Sequence, residues 1–450
     1  MKKKLMIMVL VVGLLMSFCA TRVWAGEMDI LVNKLVEKGI LTPHEGQILK
    51  SEAKEEAAKE MAEGKAIAAP EWTQKIKVKG DVRFRTQTDW GKGVGPAHQR
   101  TRQRVRARLG IEGKVNDQIK AGIQAVTGGN DPRSTNQTLD DNFETQDFRL
   151  EQYYIKWMPE LDEAIGDMTV SLGKFSNPLN KTELLWDGDI CPAGTAFNYM
   201  SPNFDLAETN TNLYANAAMF WLDEFGTSER DPLLWVGQAG FKMDVISDWG
   251  AVLDISGAYY DFANVQNNPS FRITTPVAGS QTNDFVTATN EYAEDFNLID
   301  VLIKYDAKQI FDIELGNGLY GDLIWNTNPN EDGFAWLAGA YIGNKKPAKR
   351  GQWKVRGDYR YIERNAVPDF LPDSDFYGFD YTARGGNVAG TPSAGGTNGQ
   401  GFNTAIEYAI LKNTVLAAEY YYMWPIDVFS SANHYDEPYQ LLQLDIRTKF

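Results

Sequence analysis

The stretch Arg100-Thr101-Arg102-Gln103-Arg104-Val105-Arg106-Ala107-Arg108-Leu109-Gly110-Ile111 alternates with a period of two, the spacing of a β-strand with two unlike faces. Thr101, Gln103, Val105, Ala107, Leu109 and Ile111 share one face; Arg100, Arg102, Arg104, Arg106 and Arg108 share the other. If this strand crosses a bilayer, five guanidiniums cannot meet hydrocarbon, where each would cost roughly 2–4 kcal/mol near the midplane. They must point into water. Two other stretches have the same character. Around 72–88, Ile76, Val78, Val82 and Phe84 alternate with Lys75, Lys77, Lys79, Asp81, Arg83 and Arg85. Around 352–364, Lys354, Arg356 and Arg360 oppose Trp353, Val355, Tyr359 and Tyr361.

Alternation runs through the whole chain after Pro70. About sixteen segments can be marked, at 72–88, 100–114, 118–128, 146–157, 168–175, 193–200, 211–222, 234–244, 250–261, 294–305, 318–326, 334–343, 352–364, 400–410, 414–424 and 439–450. Each is near the nine to eleven residues that a tilted strand needs to span a bilayer, with 168–175 and 193–200 the shortest. Connectors after odd segments are long, as at 128–145, 262–293 and 365–399, whereas Val115–Asp117 and Leu411–Asn413 make tight turns. Long loops on one side and short turns on the other are the asymmetry of an outer-membrane barrel. Ten tryptophans sit near segment ends: Trp72, Trp90, Trp157, Trp221, Trp235, Trp249, Trp325, Trp336, Trp353 and Trp424. Indoles prefer the two membrane–water interfaces, so these read as aromatic girdles. The expected fold is all-β, a transmembrane antiparallel up-and-down β-barrel of about 16 strands.

The chain before Pro70 is different. Three lysines, Lys2 to Lys4, precede an apolar run from Leu5 to Phe18, and Val23-Trp24-Ala25 offers small residues at a cleavage site. That order predicts a secretory signal peptide over 1–25. Residues 26–70 read as a periplasmic helical hairpin or coiled-coil segment, with Ile30, Leu31, Leu35, Val36 and Ile40 at helical spacing. Thr42-Pro43-His44-Glu45 has the form of a capping box opening the second helix. The barrel then takes 71–450.

Composition narrows the function. A formal charge of −15 argues against a nucleic-acid partner, because phosphate binding requires clustered positive surface. Three histidines and two cysteines leave little room for a metal, haem or iron–sulfur site. No G-x-S-x-G, phosphate loop or dinucleotide fingerprint stands in a suitable context. The expectation is a non-enzymatic protein without cofactors.

The last segment places Leu442, Leu444, Ile446, Thr448 and Phe450 on one face and Gln443, Asp445, Arg447 and Lys449 on the other. Ending on an aromatic residue, it resembles the C-terminal strand of bacterial outer-membrane porins. Val170-Ser171-Leu172-Gly173-Lys174-Phe175-Ser176-Asn177-Pro178 resembles the strand entering the constriction loop of the "putative porin" family and, more loosely, of phosphate-selective porins. The resemblance implies a Gram-negative-type outer membrane, contact with lipid and lipopolysaccharide, and Phe450 as the signal read by the barrel-assembly machinery. It implies a water-filled channel for passive diffusion of small hydrophilic solutes or ions. The basic pore wall would comprise Lys77, Lys79, Arg83, Arg85, Arg100, Arg102, Arg104, Arg106, Arg108, Lys354, Arg356 and Arg360. Glu183, Asp187 and Asp189 would face it from a constriction loop, while later acids such as Asp369, Asp373 and Asp375 belong to outer loops. The ladder either filters solutes or is cross-paired with lumenal acids and stiffens the wall. A second reading makes the barrel a structural sheath around a partner such as an electron-transfer cytochrome. Ion selectivity, and the choice between monomer and homotrimer, stay open at this point.

Overall fold

The computed structural model describes residues 75–450 apart from 92–98, 207, 227–229, 272–281, 287–290, 330, 382–390 and 430–436, together with residues 32, 36, 38, 42 and 44–51. The N-terminal unit ends at Lys75. Within it, residues 44–51 form a helix. Glu45 Oε2 accepts the backbone N–H of Thr42 at 2.8 Å, and Thr42 Oγ1 accepts that of Glu45 at 3.3 Å. These two reciprocal bonds are the capping box read from the sequence. The expected signal peptide lies outside the described residues.

The second unit, Ile76–Phe450, is a closed antiparallel barrel of 16 strands. In chain order they are β1 Ile76–Trp90, β2 Gln99–Lys114, β3 Ile119–Val126, β4 Arg149–Trp157, β5 Asp167–Lys174 and β6 Ala193–Met200. There follow β7 Thr209–Trp221, β8 Leu233–Ile246, β9 Ala251–Ala263, β10 Asn297–Ala307 and β11 Asn317–Asn326. The last are β12 Phe334–Gly343, β13 Trp353–Ile362, β14 Gly399–Leu411, β15 Thr414–Pro425 and β16 Tyr439–Lys449. Each pairs with its neighbour in sequence, and β1 closes on β16 from Asp81↔Lys449 to Trp90↔Gln440. Every marked segment corresponds to one of these strands.

The two faces are separated as alternation requires. Val82, Phe84, Leu109, Ile111, Leu444 and Ile446 are exposed on the outer surface, while Arg83, Arg85 and Arg106 are buried on the inner one. Trp157, Trp221, Trp235, Trp325 and Trp353 stand exposed at strand ends, in two belts. Trp72 lies outside the described residues. Phe450 finishes the seam: its N–H and carbonyl each pair with Gly80 at 3.0 Å. Its ring occupies the space a side chain at position 80 would need.

A second ring–glycine arrangement recurs on the inner face. Glu112, Gly122 and Tyr154 lie in one row across β2, β3 and β4, and the Tyr154 hydroxyl donates to Glu112 at 2.7 Å over the glycine. Tyr341 crosses Gly318 to Asp306 at 2.5 Å, and Tyr320 crosses Gly339 to Asp358 at 3.1 Å. Tyr214 passes over Gly240 to Asp254 at 2.7 Å. Missing Cβ atoms let each ring lie flat on the wall, and the carboxylates satisfy the buried hydroxyls.

The interior is not polar throughout. Near the long-loop side, inward positions are apolar: Phe220, Leu234, Tyr260, Phe262, Leu298, Ile324 and Leu337 are all buried. Against them pack Phe175, Leu184, Leu185 and Trp186 from loop 175–192, and Val367, Leu371 and Phe376 from loop 363–398. Trp186 meets Phe220 edge-on at 6.1 Å and Tyr260 at 6.5 Å. The hydrophobic effect has drawn the long loops inward, giving the barrel a core between its wall and its own loops.

Candidate functional site

Loop 175–192 crosses the interior from one wall to the other. Phe175 and the Leu184–Trp186 run anchor it. On one side Asn180 donates to Tyr214, Asp254 and Ser256, and Lys304 donates back to the Asn180 side chain at 2.6 Å. Thr182 binds the Asp322 carboxylate. Lys181, whose ammonium burial pushes down in pKa, closes the loop on the carbonyls of Trp186 and Asp187 at 3.4 and 3.0 Å.

The loop acids reach different places. Asp189 faces the arginine strand, 3.6 Å from Arg106 and 3.7 Å from Arg108. Glu183 lies 3.1 Å from Arg360 on β13. Asp187 forms no ion pair with an arginine among the described residues; it accepts the backbone N–H groups of Asp189 and Ser374, each at 2.8 Å. Through Ser374 it also holds loop 363–398. The physical reason is local: an Asx turn to its own loop satisfies the carboxylate before any guanidinium does.

Two further acids arrive from loop 363–398, where the sequence reading left them outside. Asp373 pairs with Arg360 at 2.8 Å and Asp375 with Arg85 at 3.1 Å. Loop 127–148 contributes a third layer. Asn136 accepts from Arg83 at 2.5 Å, Ser134 from Arg104 at 3.3 Å, and Thr135 donates to Asp189 at 3.1 Å. Buried Arg133, unremarked in the sequence, ties that loop to the carbonyls of Asp369 and Ala394 at 3.1 and 2.6 Å. Three loops therefore converge on the basic wall.

The wall itself carries its own acids. Asp81 binds Arg106 at 2.8 Å and Arg108 at 2.6 Å, Asp445 binds Arg85 at 2.7 Å, and Asp358 binds Arg360 at 2.8 Å. Arg102 pairs with Asp89 at 3.1 Å, and Arg356 with Glu419. Lys354 lies over the Tyr341 ring at 5.2 Å. Lys77, Lys79 and Arg100 stand exposed at the two ends of β1 and β2, apart from this cluster. The ladder is a mixed-charge network rather than a bare positive strip, because neighbouring registers bring carboxylates beside the guanidiniums.

The profile of the "Putative porin" family matches residues 94–299 and 293–450. The chain belongs to this family. Solved structures with similar folds include OprB of Pseudomonas putida, at 12% identity and a TM-score of 0.49 over 84% of this chain and 95% of that one. The Rhodopseudomonas blastica porin has 11% identity and a TM-score of 0.40, over 83% of this chain and 100% of that one. The outer membrane channel DcaP of Acinetobacter baumannii has 12% identity and a TM-score of 0.42, over 83% and 97%. No match emerges among curated protein sequences. As a porin, this chain is an outer-membrane channel, and the converging loops belong to the long-loop end of its barrel.

Two acids beside the constriction are raised by burial. Burial, with Glu183 as neighbour, pushes Asp373 up to about 7 despite Arg360. Burial and the charges of Asp373 and Asp189 raise Asp187 well above the ordinary carboxylate range. For Asp375, Arg85 and Arg104 outweigh burial, so it stays below that range. A raised carboxylate is neutral at low pH and gains its charge as pH rises through the shifted value. Lowering pH from 8 to 6 should therefore make the constriction more positive and decrease the cation-to-anion permeability ratio. Reversal potentials under a salt gradient will read this shift, and Asp373→Asn should flatten it.

Proposed function

We propose that the porin passes small hydrophilic solutes or ions by passive diffusion, filtered where loops 127–148, 175–192 and 363–398 meet the basic wall. The contact of Asp189 with Arg106 and Arg108 carries this reading, with the Glu183–Arg360–Asp373 group farther along the wall on β13. Fixed opposite charges across a narrow polar passage order water and orient dipolar solutes. Apolar solutes must displace that water. Partial neutralisation by Asp81, Asp445 and Asp358 supports a local transverse field over a simple anion sieve.

Planar-bilayer conductance of the purified protein is the direct test. Discrete open steps support the channel, and the sign of the reversal potential identifies the dominant wall. Replacing both Arg104 and Arg106 by Ala should shift conductance or selectivity while leaving assembly intact. Unchanged single-channel behaviour would remove them from the filter. The sheath reading requires an interior free for a partner, yet the chain's own loops pack there. In this account residues 1–25 export the chain, 26–70 form a periplasmic spacer, and the outer apolar belt meets lipid and lipopolysaccharide.

A further inference from the structure

Between loop 175–192 and the short-turn end of the barrel lies a cavity of about 360 Å³. Its wall comes from alternating positions of four consecutive strands. Lys304, Tyr320 and Asp358 fall in one row across β10, β11 and β13. Asp306, Tyr341 and Arg356 fall in the next, across β10, β12 and β13. Asp358 and Tyr341 are buried, which puts both rows on the inner face. Glu183 lines the loop side, and Lys345, just past β12, stands exposed at the opposite edge. The size is in the range of sites that enclose one small molecule.

The charges here do not cancel. Asp358 is taken up by Tyr320, Arg356 and Arg360, and Asp306 binds Lys345 and Tyr341. Lys304 and Lys354 also line the cavity, half-buried, and form no ion pair among the described residues. Lys304 donates to two neutral acceptors, the Asn180 side chain at 2.6 Å and the Lys181 carbonyl at 2.9 Å. An ammonium has three donors, so one is left. Lys354 lies over the Tyr341 ring at 5.2 Å, and Glu407, opposite it on β14, is paired with Arg447 at 3.2 Å. Two ammonium groups without carboxylates, on one cavity, make a place for an anion.

The acids narrow the kind of anion. The side chains of Glu183 and Asp306 are 44% and 30% exposed. A carboxylate accepts about four hydrogen bonds, more than their partners fill. A plain anion meets them only as like charges. A hydroxylated one offers them O–H donors while its charged end stays with the lysines, and its C–H groups can pack against Tyr320.

We propose that this cavity is a subsite for a sugar acid, a hydroxylated solute carrying one carboxylate, on the inner side of the constriction. The solute's passage rests on the filter reading above; its binding does not.

Glucuronate is the probe, with glucose as the uncharged control and acetate as the control without hydroxyls. Binding is measured by calorimetry on the folded protein in detergent, a readout that needs no open channel. Glucuronate should bind detectably, and each control at least about tenfold more weakly, the effect of losing one charge-assisted contact or a set of hydroxyl contacts. Lys354→Met and Lys304→Met should each weaken glucuronate about tenfold. Lys354 makes no hydrogen bond to loop 175–192, so its variant reads the charge without disturbing the loop. Heat-modifiable mobility checks that each variant is folded. Equal binding of glucose would overturn the charged contact, and equal binding of acetate the recognition of hydroxyls. No glucuronate binding to the wild type, or unchanged affinity in both lysine variants, would overturn the subsite even if the protein conducts. Glucuronate binding to a protein silent in planar bilayers would support the subsite and overturn the filter.

Discussion

Deleting Phe450 should remove most of the assembled, heat-modifiable barrel from the outer membrane, while the chain is still made and exported. The seam between β1 and β16 ends at this residue. It loses two backbone hydrogen bonds to Gly80 and the ring that covers Gly80. Those contacts are on the outer face, where a bare glycine would leave backbone facing lipid without cover. We propose that the same aromatic end is what the assembly machinery reads, so recognition and closure fail together. Gly80→Val separates the two roles. It keeps Phe450 available for recognition but pushes its ring off the seam, so assembly should begin normally and yield a barrel that melts at lower temperature. Wild-type amounts of folded barrel after the deletion would sink the proposal.

Replacing Trp186 by Ala should have the other large effect, this time on the channel rather than on assembly. Trp186 is only 2% exposed and joins loop 175–192 to Phe220 and Tyr260 on the wall. Truncating a buried tryptophan costs about 3–5 kcal/mol, here a loss to the docking of one loop more than to the barrel. With the anchor gone, Asp189 and Glu183 leave their arginine partners for part of the time. Single-channel records should show larger and noisier conductance and a selectivity nearer that of bulk solution. Barrel content by circular dichroism should stay unchanged. A quiet channel of wild-type conductance would mean that Asn180, Thr182 and Lys181 hold the loop without its aromatic anchor.

The barrel was legible because each strand faces two different media. Alternation such as that of Arg100–Arg108 or Leu442–Phe450 states both the strand and its sidedness, and turns of a few residues fix the order of strands. Loop length gave the orientation. The folded-in loops were harder to see, since a reading that divides residues between lipid and water has no place for a third, apolar compartment inside. The signal was present in strands apolar on both faces near their outer ends, as in Leu298-Ile299 and Tyr259-Tyr260, where one side meets lipid and the other meets loop. Pairing was hidden for a different reason. Which acid meets which arginine depends on register and on loop path, so Asp189 could be foreseen near the ladder, whereas the turn taken by Asp187 and the entry of Asp373 and Asp375 could not.

The tyrosines that lie across glycines carry a consequence for how the wall is built. A hydroxyl on one strand reaches its carboxylate only when the glycine strand between them is in step with both. Slipping any of the three by one residue turns the tyrosine or the acid toward hydrocarbon and puts a Cβ under the ring. Each triplet thus works as a lock with a single key position, spanning three staves at once. Three such locks, one across β2–β4 and two across β10–β13, would let a misaligned insertion intermediate be distinguished from a finished barrel before the loops fold in.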